Sequence, residues 1–190
     1  MKHDRRKEIL IAAREVLAEK GLEATKVSEI VKRAGVAQGT FYLYFPSKNS
    51  MIIALAQEML ESVLVAVRRE TEGLQTFEDV VSKGISAACY QMGEYRDVYA
   101  ILNNGGGVVE DPLEWEKLFE PLYNLIEHVL SQWQSVGSVD SLLNPSLAAR
   151  LIVSMVEQAV EDCYIYRRDI SVEDYIADVT HFVKKALGTR

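Results

Sequence analysis

The sequence predicts an all-α protein, and three observations carry the prediction. Apolar residues recur at helical spacing along most of the chain, glycines and prolines punctuate these runs, and no alternating strand pattern or internal repeat interrupts them. A length of 190 residues suits a small helical domain joined to a larger one, and it is enough chain to bury a sizeable core.

The first helix is expected over residues 5–20, with Ile9, Ala12, Ala13, Val16 and Leu17 on one face. Gly21 stops it. Val27, Ile30, Val31 and Ala34 then stand at i, i+3, i+4 and i+7, one face of a short second helix. Gly35 ends that helix, because glycine enters the left-handed region without a Cβ clash. A third helix covers residues 38–45, with Phe41 and Phe45 buried on one side. Pro46 ends it and Ser47 caps a long fourth helix to about residue 71. Thr76 with Asp79 forms a capping box for a fifth. A short helix is expected over 97–102 and a loop over 103–107. Asp111, Pro112 and Glu114 start the next helix, which Pro121 should kink or split. Asn144-Pro145 and Ser171 with Asp174 start the last two.

Residues 25–48, TKVSEIVKRAGVAQGTFYLYFPSK, are the most informative stretch. Two short helices flank a tight turn, and the second exposes amide, hydroxyl and phenol groups, the layout of a helix-turn-helix that places its second helix in the major groove. Gln38 opens that helix, and its amide suits adenine N6/N7 or other base edges. Gly39 allows close backbone approach, Thr40 suits a thymine methyl or a base acceptor, and Tyr42 and Tyr44 suit phosphates or core packing. Leu43 suits a thymine methyl or contributes nothing. Lys48, at the start of the fourth helix, suits a phosphate, and Thr25 and Lys26 suit the opposite backbone. Arg5, Arg6 and Lys7 read equally as a groove-reaching arm or a solvated start.

This stretch resembles the DNA-binding domain of TetR-type (TetR/AcrR) bacterial transcriptional regulators, through SEIVKRAGV, GTFYLYF and Ser47-Lys48, over residues 9–59. Two positions depart from the family pattern: Ala37 stands where a Ser or Thr commonly caps the recognition helix, and Leu43 where a polar or aromatic residue is frequent. The resemblance implies a helix-turn-helix domain over 1–47 and an effector-binding and dimerisation domain over 48–190. It also implies a homodimer that binds a pseudo-palindromic double-stranded DNA operator as a repressor and is released by a small-molecule effector. A regulator or activator controlled by a protein partner is the alternative.

Charge agrees once it is divided. Residues 1–50 carry ten Lys or Arg against six Asp or Glu, a charge of +4, whereas residues 51–190 carry −11 of the whole-chain −7. Basic charge is segregated onto the end that would meet phosphates.

The penultimate helix is apolar around most of its circumference, as a helix buried on more than one side must be. Leu147, Leu151, Met155 and Ala159 there, with Val179, Phe182 and Val183 on the last helix, are the expected dimer interface. Candidate effector contacts are Tyr95, Tyr99, Asn103, Trp115, Phe119, Tyr123, Glu157 and Glu161, with Tyr90, Met92, Asn104 and Trp133 as further lining. Aromatics at helical spacing are more often plain core. Glu157 and Glu161 are four apart; facing inward they would suit a cationic or hydrogen-bonding ligand, and a solvated face is the plainer reading.

No catalytic constellation, metal-ligand spacing or cofactor fingerprint stands in the chain, and His3, His128 and His181 are dispersed. Neither a leader nor a membrane span of roughly 20 apolar residues is read, so a cytoplasmic protein without membrane partners is expected. Cys89 and Cys163 are expected to be inert thiols.

Overall fold

The computed structural model describes residues 5–104, 112–166 and 169–188, except the side chains of residues 103, 104 and 112–115. Among these residues there are nine α-helices, one π turn and no strand: α1 Arg5–Ala24, α2 Val27–Ala34, α3 Gln38–Tyr44, α4 Lys48–Thr71, α5 Phe77–Glu94, α6 Arg96–Asn104, α7 Pro112–Ser135, α8 Pro145–Val160, the π turn Glu161–Ile165, and α9 Val172–Ala186. The chain forms two compact units, Met1–Met59 with Asp97–Trp115, and Leu60–Arg96 with Glu116–Arg190.

In the first unit, α1, α2 and α3 pack around Ile9, Leu10, Ala13, Leu17, Ile30 and Phe41. Gly21 interrupts α1 at φ 75° and ψ 173°, so the regular helix ends where the glycine was expected to stop it. Gly35 takes φ 66° and ψ 32°, and the Val36 N–H donates to the Val31 carbonyl at 3.0 Å, a left-handed helix stop that turns the chain toward α3. Arg33 grips Glu19 through two hydrogen bonds, 2.5 and 2.8 Å long, and so ties α2 to α1. Arg14 holds Asp97 of α6 in a bidentate pair at 2.6 and 2.7 Å. Burial pushes the Asp97 carboxyl up, but Arg14 outweighs it and holds the group below its ordinary range.

In the second unit, α5 packs against both α8 and α9, which pack on each other. The caps lie where the sequence places them. Thr76 accepts from the Asp79 N–H at 3.2 Å, Asn144 from Leu147 at 3.1 Å and Ser171 from Asp174 at 3.1 Å. Past α8 the backbone widens into the π turn, and this brings Asp162 into the interior. The buried Asp162 carboxylate accepts from Gln158 Nε2 at 3.2 Å and from the Tyr175 hydroxyl of α9.

One expectation needs correction. Pro121 does not split its helix, because α7 runs through it as one helical segment. The proline lies on the exposed side, where water can hydrate the carbonyl left without a donor, while Phe119 and Leu122 remain buried. α4 is long and apolar enough, by length and composition, to cross a membrane. Met51, Ile52, Leu55, Met59 and Val63 are instead buried in the protein, as in a core helix. The expected Asp111 cap lies outside the described residues.

Candidate functional site

Helix α3 is seven residues long, and the burial of Phe41 with the Phe45 that follows it fixes which side faces out. Gln38, Gly39, Tyr42, Leu43 and Tyr44 are exposed and Thr40 is half-buried. The exposure of Leu43 reaches 83%, so it contributes nothing to the core. Tyr42 leans edge-on against Phe41 at 5.3 Å, which leaves its phenol outward. Ala37 occupies the N-cap without a side-chain oxygen, so α3 starts uncapped.

Thr25 and Lys48 sit differently. Thr25 is buried and its hydroxyl donates to the Gly21 carbonyl at 2.6 Å. The Lys48 ammonium donates to the carbonyls of Leu22 at 2.9 Å and Thr25 at 3.2 Å. Thr25 thus ties the chain entering α2 back to the end of α1, and Lys48 ties that chain to the start of α4. Lys26 is exposed, and its backbone N–H donates to Glu29 at 3.3 Å. Arg5 pairs with Glu8 at 2.7 Å and Arg6 lies 5.6 Å from the Phe45 ring, both within the first turn of α1.

The second unit contains an apolar cavity of about 100 Å³ between the later part of α4, α5, α7, α8 and α9. Its wall is mainly Val, Leu and Ile, with Phe77, Met92 and Phe119. Glu157 also stands on this wall. Burial first, and then the neighbouring Glu161, push its carboxyl from 4.5 up to about 7. The other candidate effector residues are dispersed. Tyr123 stacks on Phe119 at 5.9 Å and carries the Arg150 guanidinium on its ring at 4.6 Å. Glu161 is half-buried at the start of the π turn. Tyr95 caps the end of α5, Tyr99 is buried in the first unit, and Trp133 packs on Phe77 at 5.5 Å. Tyr90 lines a separate polar hollow with Arg69, Lys83 and Tyr164. The side chains of Asn103, Asn104 and Trp115 lie outside the described residues. Sequence reasoning missed the aliphatic wall itself, since Val63, Ile85 or Val156 carry no mark that separates a cavity lining from a packed core.

The candidate dimer residues divide by exposure. Leu147, Leu151 and Phe182 are 58%, 57% and 62% exposed, Met155 and Val179 are half-buried, and Ala159 and Val183 are buried within their own unit. Leu151, Met155, Phe182 and Ala186 flank an apolar groove of about 340 Å³ between α8 and α9. Cys89 is buried, and burial pushes its thiol up to about 12, while Cys163 is half-buried.

Comparison with known proteins agrees with this architecture. Residues 9–55 match the family model of the bacterial regulatory proteins of the tetR family, and residues 81–187 match the tetracyclin repressor-like C-terminal domain. The HTH-type transcriptional regulator YvdT of Bacillus subtilis is 35% identical over 182 residues, which cover 95% of this chain and 94% of the relative. The fatty acid metabolism regulator protein of the same organism is 28% identical over 158 residues, 80% of each chain. The crystal structure of Bacillus subtilis FadR in complex with stearoyl-CoA superimposes with a TM-score of 0.81 at 22% identity, covering 93% of this chain and 96% of that one. The chain therefore belongs to the TetR family of bacterial regulatory proteins, which are transcriptional regulators and not enzymes.

Proposed function

We propose that the chain is a ligand-gated repressor. It acts in the cytoplasm as a homodimer, binds a pseudo-palindromic operator through two copies of α3, and is released by a small molecule with a large apolar part. Residues 1–47 read DNA and residues 48–190 bind effector and partner subunit. The observation that carries the reading is the aliphatic cavity in the second unit. At about 100 Å³ it falls below the roughly 300–1,000 Å³ of ligand pockets. A ligand must therefore push its walls apart, and a ligand that binds the widened state better shifts the population toward it. A Bacillus subtilis relative named for fatty acid metabolism, and the fold neighbour FadR of that organism with its bound stearoyl-CoA, support a ligand with a large apolar part. The apolar groove and exposed Leu147, Leu151 and Phe182 are the partner surface, and a two-fold pair of α3 helices reads two half-sites.

Selection of bound duplexes from a random pool at fixed salt tests the reading. A two-fold palindrome is expected, and Gln38→Ala should relax the choice at one position of each half-site, at a cost of about 1–3 kcal/mol. A folded protein that enriches no palindrome would remove the proposal.

A further inference from the structure

At one end the apolar cavity is parted from solvent by single side chains. An open hollow of about 410 Å³ lies on the surface of the same unit, lined by Leu74 beyond α4 and by Gln132, Trp133 and Val136 around the end of α7. Thr71, Val80 and Val129 line both spaces, and each is half-buried. They come from three helices. Thr71 is the last residue of α4, Val80 sits in the first turn of α5, and Val129 lies in the last two turns of α7. Phe77 and Trp133 straddle the same boundary: Phe77 lines the cavity, Trp133 lines the hollow, and their rings stand 5.5 Å apart.

Helix ends open at the least cost in free energy, so this boundary parts more readily than the middle of the bundle. Just inside it, α5 carries Gly84, where an added Cβ would stand 3.6 Å from the Thr71 methyl, so no side chain of α5 fills that place. A passage bounded by three small branched side chains fits a polymethylene chain rather than a ring system. The two spaces also differ in character. Apart from Thr71 and Glu157 the inner wall is apolar, and the Thr71 hydroxyl is spent on the Val67 carbonyl at 2.8 Å. The hollow instead offers the Gln132 amide and the Trp133 indole N–H beside open water. A polar head drawn inside would lose its hydration, and a tail left outside would keep its apolar surface in water. We propose that the hollow is the head-group half of the effector site. The ligand is a linear amphiphile that enters tail first between Thr71, Val80 and Val129, lays its chain in the cavity and rests a hydrogen-bonding head against Gln132 and Trp133. This rests on the ligand-gated reading above and adds the shape, entry and orientation of the ligand to it.

Trp133 reports on the orientation. The chain has two tryptophans, so Trp115→Phe in the full-length protein leaves Trp133 as the sole indole emitter. Two isomeric probes, 2-bromo-1-octanol and 8-bromo-1-octanol, are titrated calorimetrically and by fluorescence, since bromine quenches an indole only at close range. Both isomers should bind with closely similar affinity. At saturation the 2-bromo isomer, with its bromine beside the head, should remove most of the Trp133 emission, and the 8-bromo isomer, with its bromine at the tail tip, should remove little. Val129→Phe narrows the passage and should slow association and dissociation of both isomers alike, by about tenfold or more, with the affinity nearly unchanged. Quenching by the 8-bromo isomer that equals or exceeds that of the 2-bromo isomer would overturn the orientation, as would a head seated inside at Glu157, which gives that same pattern. Unchanged rates in Val129→Phe would overturn the entry route. Either result leaves the ligand-gated reading intact, whereas failure of both isomers to bind in calorimetry would overturn that reading too.

Discussion

Single side chains divide here into those that face outward and those that hold the frame. Gln38 and Tyr42 are exposed on α3, whereas Lys48 and Thr25, which the sequence marks equally as phosphate contacts, spend their donors on backbone carbonyls. The side-chain types were legible in the sequence. Their partners were not, because a lysine that reaches carbonyls 26 and 23 residues away is set by tertiary packing. Glu157 makes the sharpest prediction at this scale. Its carboxyl stands at about 7 in the folded chain against 4.5 ordinarily, so between these values the folded state holds a proton that the unfolded state has released. Stability from this group is therefore full below about pH 4.5 and lost as pH rises through about 7, by up to about 3 kcal/mol. Urea unfolding at about pH 5 and pH 8 should show that loss in the parent protein, and Glu157→Gln should remove most of the difference.

At the scale of elements, the sequence spoke most clearly where the cause is local. Thr76, Asn144 and Ser171 cap α5, α8 and α9 through side-chain oxygens three residues from their donors, and such caps are readable without a fold. The π turn after α8 was not readable, because widening one turn depends on what Asp162 meets on α9. The same turn sets the Tyr164 ring against Gly93 of α5. A Cβ at Gly93 would collide with that ring, with Cε2 at 2.9 Å and Cζ and the hydroxyl closer still. Glycine to alanine inside a helix ordinarily stabilises by about 0.5–1 kcal/mol. Gly93→Ala should instead destabilise by about 1–3 kcal/mol, and Tyr164→Ala in the same chain should return most of the loss. Thermal or urea unfolding of the four chains measures this coupling. Equal effects of Gly93→Ala with and without Tyr164 would show that the ring does not read that position.

The whole molecule is acidic, with a pI near 5.1, yet its first 50 residues are net positive. Bulk charge is thus a poor guide to what the chain binds, since attraction to phosphates acts over about one Debye length, 8–10 Å in ordinary salt. The proposed homodimer rests on the exposed apolar side chains of α8 and α9. Leu151→Glu should convert a dimer to monomer in sedimentation and weaken operator binding, while leaving the helical content unchanged, because Leu151 is more than half exposed in its own chain. A Leu151→Glu protein that still sediments as a dimer would move the interface elsewhere.

The aliphatic wall has a consequence on an evolutionary timescale. Exchanges among Val, Ile and Leu alter a cavity by one methylene at a time, each at about 0.5–1.5 kcal/mol, and Gly84 on the same wall leaves room for a methyl group, with Thr71 Cγ2 3.6 Å from the added carbon. None of these positions lies on α3. On the proposed ligand-gated reading, a duplicated gene can therefore drift to a new chemical signal in small steps, each folded, while its copy of the α3 surface stays the same.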